Sequence, residues 1–425
     1  MKTDANNVYV LASARIPFAK SQTAYAHVTR KDLMTASLNS LVTKAGLKGC
    51  LVEDTALGAV MNSASDWNLA RECLLSTEVA PESPAYNVQR ACGTSLEAAW
   101  HIALKAHTGQ IDFGIAGGVD TNSDLPLELS DELRHIFLDL NQTTTIAERL
   151  KILSRFSLKS LKPQIPTIRE PRSSLLMGEH CELMVKEWKI PREEQDAFAL
   201  QSHVNGSKAY AAGFYDDLVY PFEGVTKDTI LRADTSLEKL AKLKPAFDRI
   251  HGTLTAGNSS PLSDGSACVL IGSDKGADRL GLKPLAKIVD IQTAAVDFVR
   301  GEGLLMAPTR AIAQLFNRNK MSLKDFDYFE IHEAFAGQVL CTLKALASPE
   351  YCRDVLGLSS PIGTLDPTKI NVVGSSIALG HPFAATGARI VGTLAKLLST
   401  TNRKRGLISI CTGGGMGVAA ILEGV

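Results

Sequence analysis

The stretch Tyr86-Asn87-Val88-Gln89-Arg90-Ala91-Cys92-Gly93-Thr94-Ser95-Leu96-Glu97-Ala98-Ala99 holds a cysteine between small residues. Apolar residues after Cys92 recur at three- and four-residue steps, which predicts a helix that begins just after the cysteine. Unpaired N–H groups and the positive end of the helix dipole favour a thiolate at such a position. Cys92 is therefore a candidate nucleophile, and a small buried cysteine between helix and sheet is the alternative interpretation.

The composition limits the classes of function that need to be considered. The chain has 425 residues, enough for two or three domains, and 45% of them are hydrophobic. Its formal net charge is zero, which does not indicate a nucleic-acid binder. Eight cysteines without a C-x-x-C pair favour free thiols in a reducing compartment such as the cytoplasm. No apolar run could span a bilayer, and Met1–Asn7 shows no signal or transit pattern.

Short apolar segments alternate with helix-like segments in the first part of the chain. Residues 8–12, 56–60 and 113–119 are predicted strands, and residues 32–45 carry a helical pattern. Such alternation is typical of an α/β sheet with covered faces. The pattern stops near residue 123.

Residues 123–249 are more charged and less strand-like, and we interpret them as an insertion into the α/β framework. Helices are predicted at 178–188 and at 192–212, with Pro191 at the start of the second and Gly213 at its end. The framework resumes after residue 250 and includes further strands at 267–272, 285–291 and 326–331 and a helix at 308–316.

The second half repeats features of the first. Asn87-Val88 precedes the Cys92 turn and its helix, and Asn371-Val372 precedes a turn that ends in Gly380-His381-Pro382 and a second helix. Each helix is followed by an apolar strand and a glycine cluster. Two similar halves related by a pseudo-twofold axis would bring Cys92 and His381 to one interface.

Four residues carry the candidate chemistry: Cys92, His332, His381 and Cys411, each at the end of an apolar segment or at a turn into a helix. A cysteine nucleophile needs a base, and histidine is the usual one near neutral pH. Each residue also has a structural interpretation: His332 and Cys411 as core residues, and His381 as part of a turn. No spacing of histidine, cysteine and carboxylate residues suggests a metal site.

The chain resembles the thiolase family from Val8 to its C-terminus. The motifs that carry this resemblance occur in the family's order: Ala14-Arg15-Ile16-Pro17-Phe18, Asn87 to Ser95, Met177-Gly178, Lys244-Pro245-Ala246-Phe247, Thr255-Ala256-Gly257-Asn258-Ser259-Ser260, His332-Glu333-Ala334-Phe335, Gly380-His381-Pro382 and Cys411-Thr412-Gly413-Gly414-Gly415-Met416-Gly417.

The resemblance implies a thiolase fold, an α/β architecture of five layers (αβαβα). It implies an N-terminal half made of residues 1–122 and 250–278, a CoA-binding loop domain of residues 123–249 and a C-terminal half of residues 279–425. A homodimer that pairs edge strands of the two N-terminal halves is also expected.

The resemblance also implies roles for single residues. Cys92 looks like the nucleophile that becomes acylated, His381 like the base that activates it, and Cys411 like a second acid/base. The N–H groups of Cys92 and Gly413 would form one oxyanion hole, and His381 with a group held by His332 would form the other. The residues expected to line the CoA site are Met177, Arg232, Phe247, Ser260, Ala334 and Phe335. No metal or cofactor is expected, because coenzyme A is itself a substrate.

One departure from the commonest family pattern points to a subgroup. His332 stands where many thiolases have asparagine, and this resembles the β subunits of fatty-acid oxidation trifunctional complexes, which pair with a hydratase/dehydrogenase α subunit. The basic amphipathic segment 146–162 fits that subgroup as a surface that docks the α subunit or a membrane. An ordinary solvated surface helix is the alternative.

The expected reaction is cleavage of a 3-oxoacyl-CoA by CoA, giving acetyl-CoA and a shortened acyl-CoA in fatty-acid β-oxidation. A biosynthetic acetoacetyl-CoA thiolase, which runs the reverse Claisen condensation, is the first alternative. A decarboxylating ketoacyl synthase is another alternative, but its reaction would leave Cys411 without a role. A non-catalytic lipid carrier would not need the reactive residues that are present.

Overall fold

The structure is a computed structural model in which residues 6–401 and 403–425 are described. The expectation that Met1–Asn7 carries no targeting segment therefore lies outside the described residues, apart from Asn6 and Asn7. The strands are β1 Val8–Arg15, β2 Ala19–Lys20, β3 Thr55–Leu57, β4 Tyr86–Asn87, β5 Phe113–Asp120, β6 Ser263–Ser273, β7 Ala286–Ala295, β8 Tyr328–Ile331, β9 Arg405–Thr412 and β10 Met416–Glu423.

Helices occupy both the framework and the insertion. Their bounds are α1 Arg30–Lys44, α2 Leu69–Leu75, α3 Thr94–His107, α4 Asp131–Gln142, α5 Ile146–Leu153, α6 Met177–Glu187, α7 Arg192–Ala211, α8 Leu237–Ala241, α9 Asp274–Leu280, α10 Ala307–Asn319, α11 Ala336–Ala347, α12 Pro349–Asp354, α13 Ser376–Leu379 and α14 Thr386–Thr401. No helix among the described residues is both long and apolar enough to cross a membrane.

The strand order shows the two similar halves. The strands follow the order β4-β3-β5-β6-β1-β7-β10-β9-β8, with β2 paired to β6. In the first half β6 is antiparallel to β1 and to β5, and β3 is parallel to β5. In the second half β10 is antiparallel to β7 and to β9, and β8 is parallel to β9. A short antiparallel pairing of β1 with β7 joins the halves.

The core clusters define the layers of the fold. Helices α3 and α14 pack against each other, and their buried residues share one cluster with strands of both halves. Helices α1 and α2 cover the other face of the first half, and α10 and α11 cover the outer face of the second. This arrangement confirms the predicted five-layered αβαβα fold with an inserted loop domain. The domain bounds at residues 122, 249 and 278 stay predictions.

Several predicted elements differ in length from those observed. The predicted strand 56–60 ends at Leu57, because the N–H groups of Val60 and Met61 donate to the Asp120 carboxylate instead of to a strand. The predicted strand 8–12 continues to Arg15, where β1 still pairs with β6. The segment 146–162 is not one helix, since α5 ends at Leu153 and only a short 3₁₀ turn follows.

Candidate active site

Cys92 lies in a strained turn at the N-terminus of α3. Gly93 is the N-cap of this helix, and Ala91 has a φ of 43°, in the left-handed region that costs a non-glycine residue about 1–2 kcal/mol. The Thr94 hydroxyl donates to the Ala91 carbonyl at 2.7 Å and accepts from the Arg90 N–H at 2.9 Å. These bonds hold the turn in the conformation that places the Cys92 thiol ahead of the helix.

His381 lies opposite Cys92, in the turn that leads into α14. Its Nε2 is 3.2 Å from Cys92 Sγ, and its Nδ1 is 2.6 Å from Thr386 Oγ1. Gly380, directly before it, has a φ of 105°, which glycine adopts far more readily than other residues. The Asp120 carboxylate accepts from the Ala384 N–H at 2.8 Å, so the end of β5 also anchors this turn.

Close contact between α3 and α14 sets the distance between the two residues. Gly387 lies at the crossing, where a Cβ would come within 2.4 Å of the Leu96 backbone nitrogen. The Ser95 hydroxyl accepts from the Ala388 N–H at 2.8 Å, which joins the two helix starts directly. The pseudo-twofold pairing expected from the sequence is therefore built on this contact.

Cys411 and Gly413 complete the group around the thiol. Cys411 lies near the end of β9 and is buried, and Gly413 follows the strand. Hydrogen bonding from the backbone of Gly413 and of Cys92 itself acts to lower the pKa of the Cys92 thiol. Both residues would therefore offer N–H donors to a negative charge that develops beside the thiol.

These residues open into an apolar cavity of about 530 Å³. Its wall includes Val60, Met61, Ala91, Cys92, Thr167, Ile168, Arg169, Glu170, Leu176, Met177, Gly178, Phe247, Ser260, Pro261, Leu262, Leu305, Ala334, Phe335, His381, Phe383, Cys411, Thr412 and Gly413. Five of the six residues expected to contact CoA are in this wall. Arg232 is not: its side chain is exposed, and its N–H donates to Nδ1 of His203.

His332 lies beneath His381 and is fully buried, with ring centroids 4.1 Å apart. Its Nδ1 is 2.7 Å from Ser376 Oγ, and its Nε2 has no partner among the described residues. The neighbouring Glu333 carboxylate accepts from Ser202, Asn371 and the Ile377 N–H, which fixes the loop that carries the histidine.

Burial makes the reactive groups neutral. Burial raises the pKa of the Cys92 thiol to about 12 and lowers the pKa of His381 to about 3. Burial also lowers the pKa of His332 and raises that of Cys411, each well away from its ordinary value. Burial thus opposes the thiolate that the helix N-terminus favours, and it outweighs the backbone N–H groups that lower the pKa of Cys92.

Three side chains that could ligate a metal lie close together, although the sequence shows no metal-binding pattern. Ligand atoms of Cys92, His332 and His381 lie within 4.8 Å of one another. The same convergence serves nucleophilic catalysis, in which a thiol, a base and a hydrogen-bond donor must meet. The expectation of no metal stays a prediction.

Sequence reasoning missed the residues that orient the histidines. Thr386 and Ser376 contact the histidine Nδ1 atoms, and Arg389 is buried within 2.8 Å of Ser376 Oγ. An arginine on the apolar face of a helix, as Arg389 is on α14, was the available signal. Cys92, His332, His381 and Cys411 themselves do converge, although they come from four different segments of the chain.

Comparison with known proteins agrees with this fold. The family model described as "Thiolase, N-terminal domain" matches residues 8–275, and "Thiolase, C-terminal domain" matches residues 282–424. The chain belongs to the thiolase family. It is thus an enzyme rather than a binding or structural protein.

Individual relatives extend over nearly the whole chain. It is 39% identical to the 3-ketoacyl-CoA thiolase of Serratia proteamaculans (strain 568), over 98% of this chain and 97% of that protein. The 3-ketoacyl-CoA thiolase of Yersinia enterocolitica is 38% identical with the same coverage. The crystal structure of the Bacillus anthracis acetyl-CoA acetyltransferase superimposes with a TM-score of 0.83 at 32% identity, covering 100% of both chains.

Proposed function

We propose that this enzyme is a 3-ketoacyl-CoA thiolase, an acyltransferase that cleaves a 3-oxoacyl-CoA with CoA to acetyl-CoA and a shortened acyl-CoA. The observation that carries the proposal is the 3.2 Å contact between Cys92 Sγ and His381 Nε2 at the floor of the apolar cavity. Cys411 in the same wall supplies the second acid/base that this reaction needs. The names of the Serratia and Yersinia relatives support the same reaction.

In the first half-reaction His381 removes the proton of Cys92, and the thiolate attacks the C3 carbonyl carbon of the substrate. The carbonyl oxygen becomes an oxyanion that preorganised donors stabilise. The C2–C3 bond then breaks, and its electron pair leaves with C2 as the enolate of acetyl-CoA. Cys411 protonates C2, so that acetyl-CoA departs and a shortened acyl group stays on Cys92.

In the second half-reaction the Cys411 thiolate removes the proton of the incoming CoA thiol. The CoA sulfur attacks the Cys92 thioester, and Cys92 leaves as a thiolate that regains its proton from His381. Each cysteine ends in its starting state, and splitting the reaction through a thioester avoids a more difficult single step. The neutral starting pair fits this cycle, because His381 keeps its lone pair for the proton of Cys92.

We propose long-chain substrates in degradative fatty-acid β-oxidation. The apolar wall of the cavity supports an acyl chain as occupant. A biosynthetic acetoacetyl-CoA thiolase is the second candidate, because the acetyl-CoA acetyltransferase from Bacillus anthracis shares the whole fold. The sequence alone does not distinguish thiolytic cleavage from Claisen condensation, because the same residues would catalyse both.

The test is the CoA-dependent loss of 3-oxohexadecanoyl-CoA and of acetoacetyl-CoA, each followed for the purified enzyme. Faster loss of the long substrate, abolished by Cys92→Ala, is the expected result. Turnover of acetoacetyl-CoA alone would instead favour the biosynthetic reaction. Loss of neither substrate would reject thiolysis by the isolated chain.

We further propose that coenzyme A is a substrate and that no metal or other cofactor takes part. The mechanism assigns every proton transfer to Cys92, His381 and Cys411, which supports this view. Full activity after dialysis against EDTA is the expected result, and activity that returns only on addition of a metal ion would contradict it.

We propose a homodimer that uses the β4 edge of the sheet. β4 ends the strand order, so its outer edge is open to pairing. Trp67 beside it is 85% exposed, and its carbonyl accepts from the Asn87 side chain on β4. A large exposed aromatic beside an open strand edge fits an interface with a second copy.

We propose that a second surface docks a hydratase/dehydrogenase α subunit. The α4–α5 surface, defined by the exposed side chains Phe137, Leu138, Ile146, Leu150 and Leu153, is apolar and lies in the insertion. Acidic and basic residues alternate around it, including the Arg155–Asp139 and Arg134–Asp131 ion pairs. Mixed charge favours a protein partner over an anionic membrane.

All eight cysteines are free thiols, which supports a cytoplasmic location.

A further inference from the structure

A buried chain of polar groups leads from α14 to His332. Arg389 Nη2 donates to Ser376 Oγ at 2.8 Å, and Ser376 Oγ is 2.7 Å from His332 Nδ1. All three residues are at most 2% exposed. The Glu330 carboxyl is buried in the same core and interacts electrostatically with Arg389, while burial raises its own pKa to about 8.

The partners of the Ser376 hydroxyl decide where its proton points. A hydroxyl donates one hydrogen bond and accepts others, and an arginine can only donate. The oxygen therefore accepts from Arg389, and the hydroxyl proton needs a separate acceptor. In the part of the chain that the structure describes, His332 Nδ1 is the only other hydrogen-bond partner of Ser376 Oγ. A protonated Nδ1 would leave the buried hydroxyl with no acceptor at all.

The tautomer of His332 follows from the hydrogen-bond partners of the Ser376 hydroxyl. When Ser376 donates to Nδ1, the proton of the neutral imidazole lies on Nε2. Nε2 has no partner among the described residues, and the ligand atoms of His332, His381 and Cys92 converge within 4.8 Å. The only free polar atom of this ring is thus a donor, placed beside the thiol and the base.

We propose that Arg389 and Ser376 are positioning residues that hold His332 as the Nε2–H tautomer, so that His332 donates to the thioester oxygen directly or through one water. The two histidines then have opposite roles: His381 presents a lone pair to Cys92, and His332 presents a proton to the developing oxyanion. This assignment rests on the proposed function for its catalytic consequence, but the tautomer itself does not.

The electrostatic setting is consistent with a neutral donor. Burial, the neighbouring His381 and the charge of Arg389 all lower the pKa of His332. His332 therefore stays uncharged at neutral pH, and its single ring proton must be placed by a hydrogen bond. The hydrogen bonds from Arg389 to Ser376 and from Ser376 to His332 also oppose metal binding, because a protonated Nε2 offers no lone pair to an ion.

The first test is histidine ¹⁵N NMR of the free enzyme, in which protonated and unprotonated ring nitrogens have distinct shifts. Comparison with His332→Asn identifies the His332 signals. The expected result is a protonated Nε2 and an unprotonated Nδ1 in the wild type, with this preference lost in Ser376→Ala. A protonated Nδ1 in the wild type would overturn the proposal. Because no turnover is measured, this result does not depend on the reaction catalysed.

The second test is a double-mutant comparison of Ser376→Ala with His332→Asn in the thiolysis assay. Loss of one oxyanion-hole donor lowers kcat by roughly 100- to 1,000-fold, so misplacing this donor is expected to lower kcat by up to about that factor with KM unchanged. In the His332→Asn background Ser376→Ala should have no further effect, because the residue acts only through His332. An equal loss of kcat in both backgrounds would show that Ser376 has a merely structural role and would reject the proposal that it acts through His332.

Ser375→Ala is the matched control. Ser375 Oγ also accepts from Arg389, at 3.2 Å, and donates to the Ile331 carbonyl at 3.2 Å, but it makes no hydrogen bond to the His332 ring. The control should keep both the NMR pattern of His332 and the wild-type kcat. Arg389 is not substituted, because its removal would take the hydrogen-bond donor away from the buried hydroxyls of Ser375 and Ser376. Ser376 is substituted instead. Failure of the wild type to turn over any substrate would reject the proposed function and leave the NMR result standing.

Discussion

Burial favours a neutral Cys92 thiol and a neutral His381 imidazole over an ion pair. Their pKa values, about 12 and about 3, both move in the direction that burial dictates for a charged form. A transferred proton would create two charges in an apolar cavity, so the ion pair must form only when oxyanion donors and substrate are in place.

The first prediction concerns the acidic side of the pH profile of kcat/KM. A lowered pKa means that His381 keeps its base form to lower pH than an ordinary histidine, whose pKa is about 6.5. Activity should therefore stay level as the pH falls through that ordinary value, measured with the enzyme checked for folding by circular dichroism. A fall in kcat/KM of about tenfold per pH unit below about 6.5 would contradict the neutral pair.

The candidate reactive residues could be selected from the sequence, but the effect of burial on their pKa values could not be predicted from it. Cys92, His381 and Cys411 belong to motifs in which spacing and neighbours are visible. The helix N-terminus favours a thiolate, whereas burial by segments distant in the sequence opposes it by raising the pKa of Cys92. Ser376 and Arg389 were missed for the same reason, since their partner His332 is more than 40 residues away from each in the chain.

At the scale of elements, the crossing of α3 and α14 sets the geometry of the Cys92–His381 pair. Each helix begins beside one member of the Cys92–His381 pair, and Gly387 allows the two backbones to approach closely. A shift of one helix start would change the thiol–imidazole distance directly. Stability and activity are therefore coupled at this crossing.

The second prediction is that Gly387→Ala lowers both stability and kcat. The added methyl would overlap the Leu96 backbone, and overpacking of this kind costs about 1–3 kcal/mol. Urea unfolding and the thiolysis assay measure the two effects. Ser399→Ala, on the exposed part of α14, is the control and should change neither. Wild-type values for Gly387→Ala would show that the crossing does not set the geometry.

The sequence predicted most elements correctly because apolar periodicity is local. Helix α7 was expected at 192–212 and extends from Arg192 to Ala211. The strand expected at 56–60 is shorter, because the Asp120 carboxylate captures the N–H groups of Val60 and Met61. That bond joins segments 60 residues apart, which no local pattern records.

At the scale of the whole molecule, the two proposed interfaces are the β4 edge beside Trp67 and the α4–α5 surface. The third prediction is that the chain is a dimer and that Trp67→Glu raises its dissociation constant by roughly tenfold or more, because buried tryptophans dominate interface energies. Sedimentation velocity measures this change. Leu237→Glu, on exposed α8, is the control for added charge. A wild-type monomer at micromolar concentration, or an unchanged Trp67→Glu dimer, would contradict the proposed interface.

The fourth prediction concerns the α4–α5 surface. Ile146 and Leu150 are one helical turn apart on α5 and 78% and 63% exposed. The double variant Ile146→Asp/Leu150→Asp should lose co-sedimentation with a purified hydratase/dehydrogenase α subunit and keep its thiolysis activity, since both residues lie outside the cavity wall. Leu237→Asp should keep both. Binding of the wild type to anionic vesicles but not to the α subunit would contradict the proposal.

The central claim is that Cys92 carries the acyl group, and mass spectrometry tests it most directly. The enzyme is mixed with 3-oxohexadecanoyl-CoA without free CoA, quenched in acid and digested. We predict a tetradecanoyl thioester on the peptide that contains Cys92, together with an equal amount of acetyl-CoA, and neither product with Cys92→Ala. An acyl group on another residue, or acetyl-CoA release by Cys92→Ala, would contradict the account.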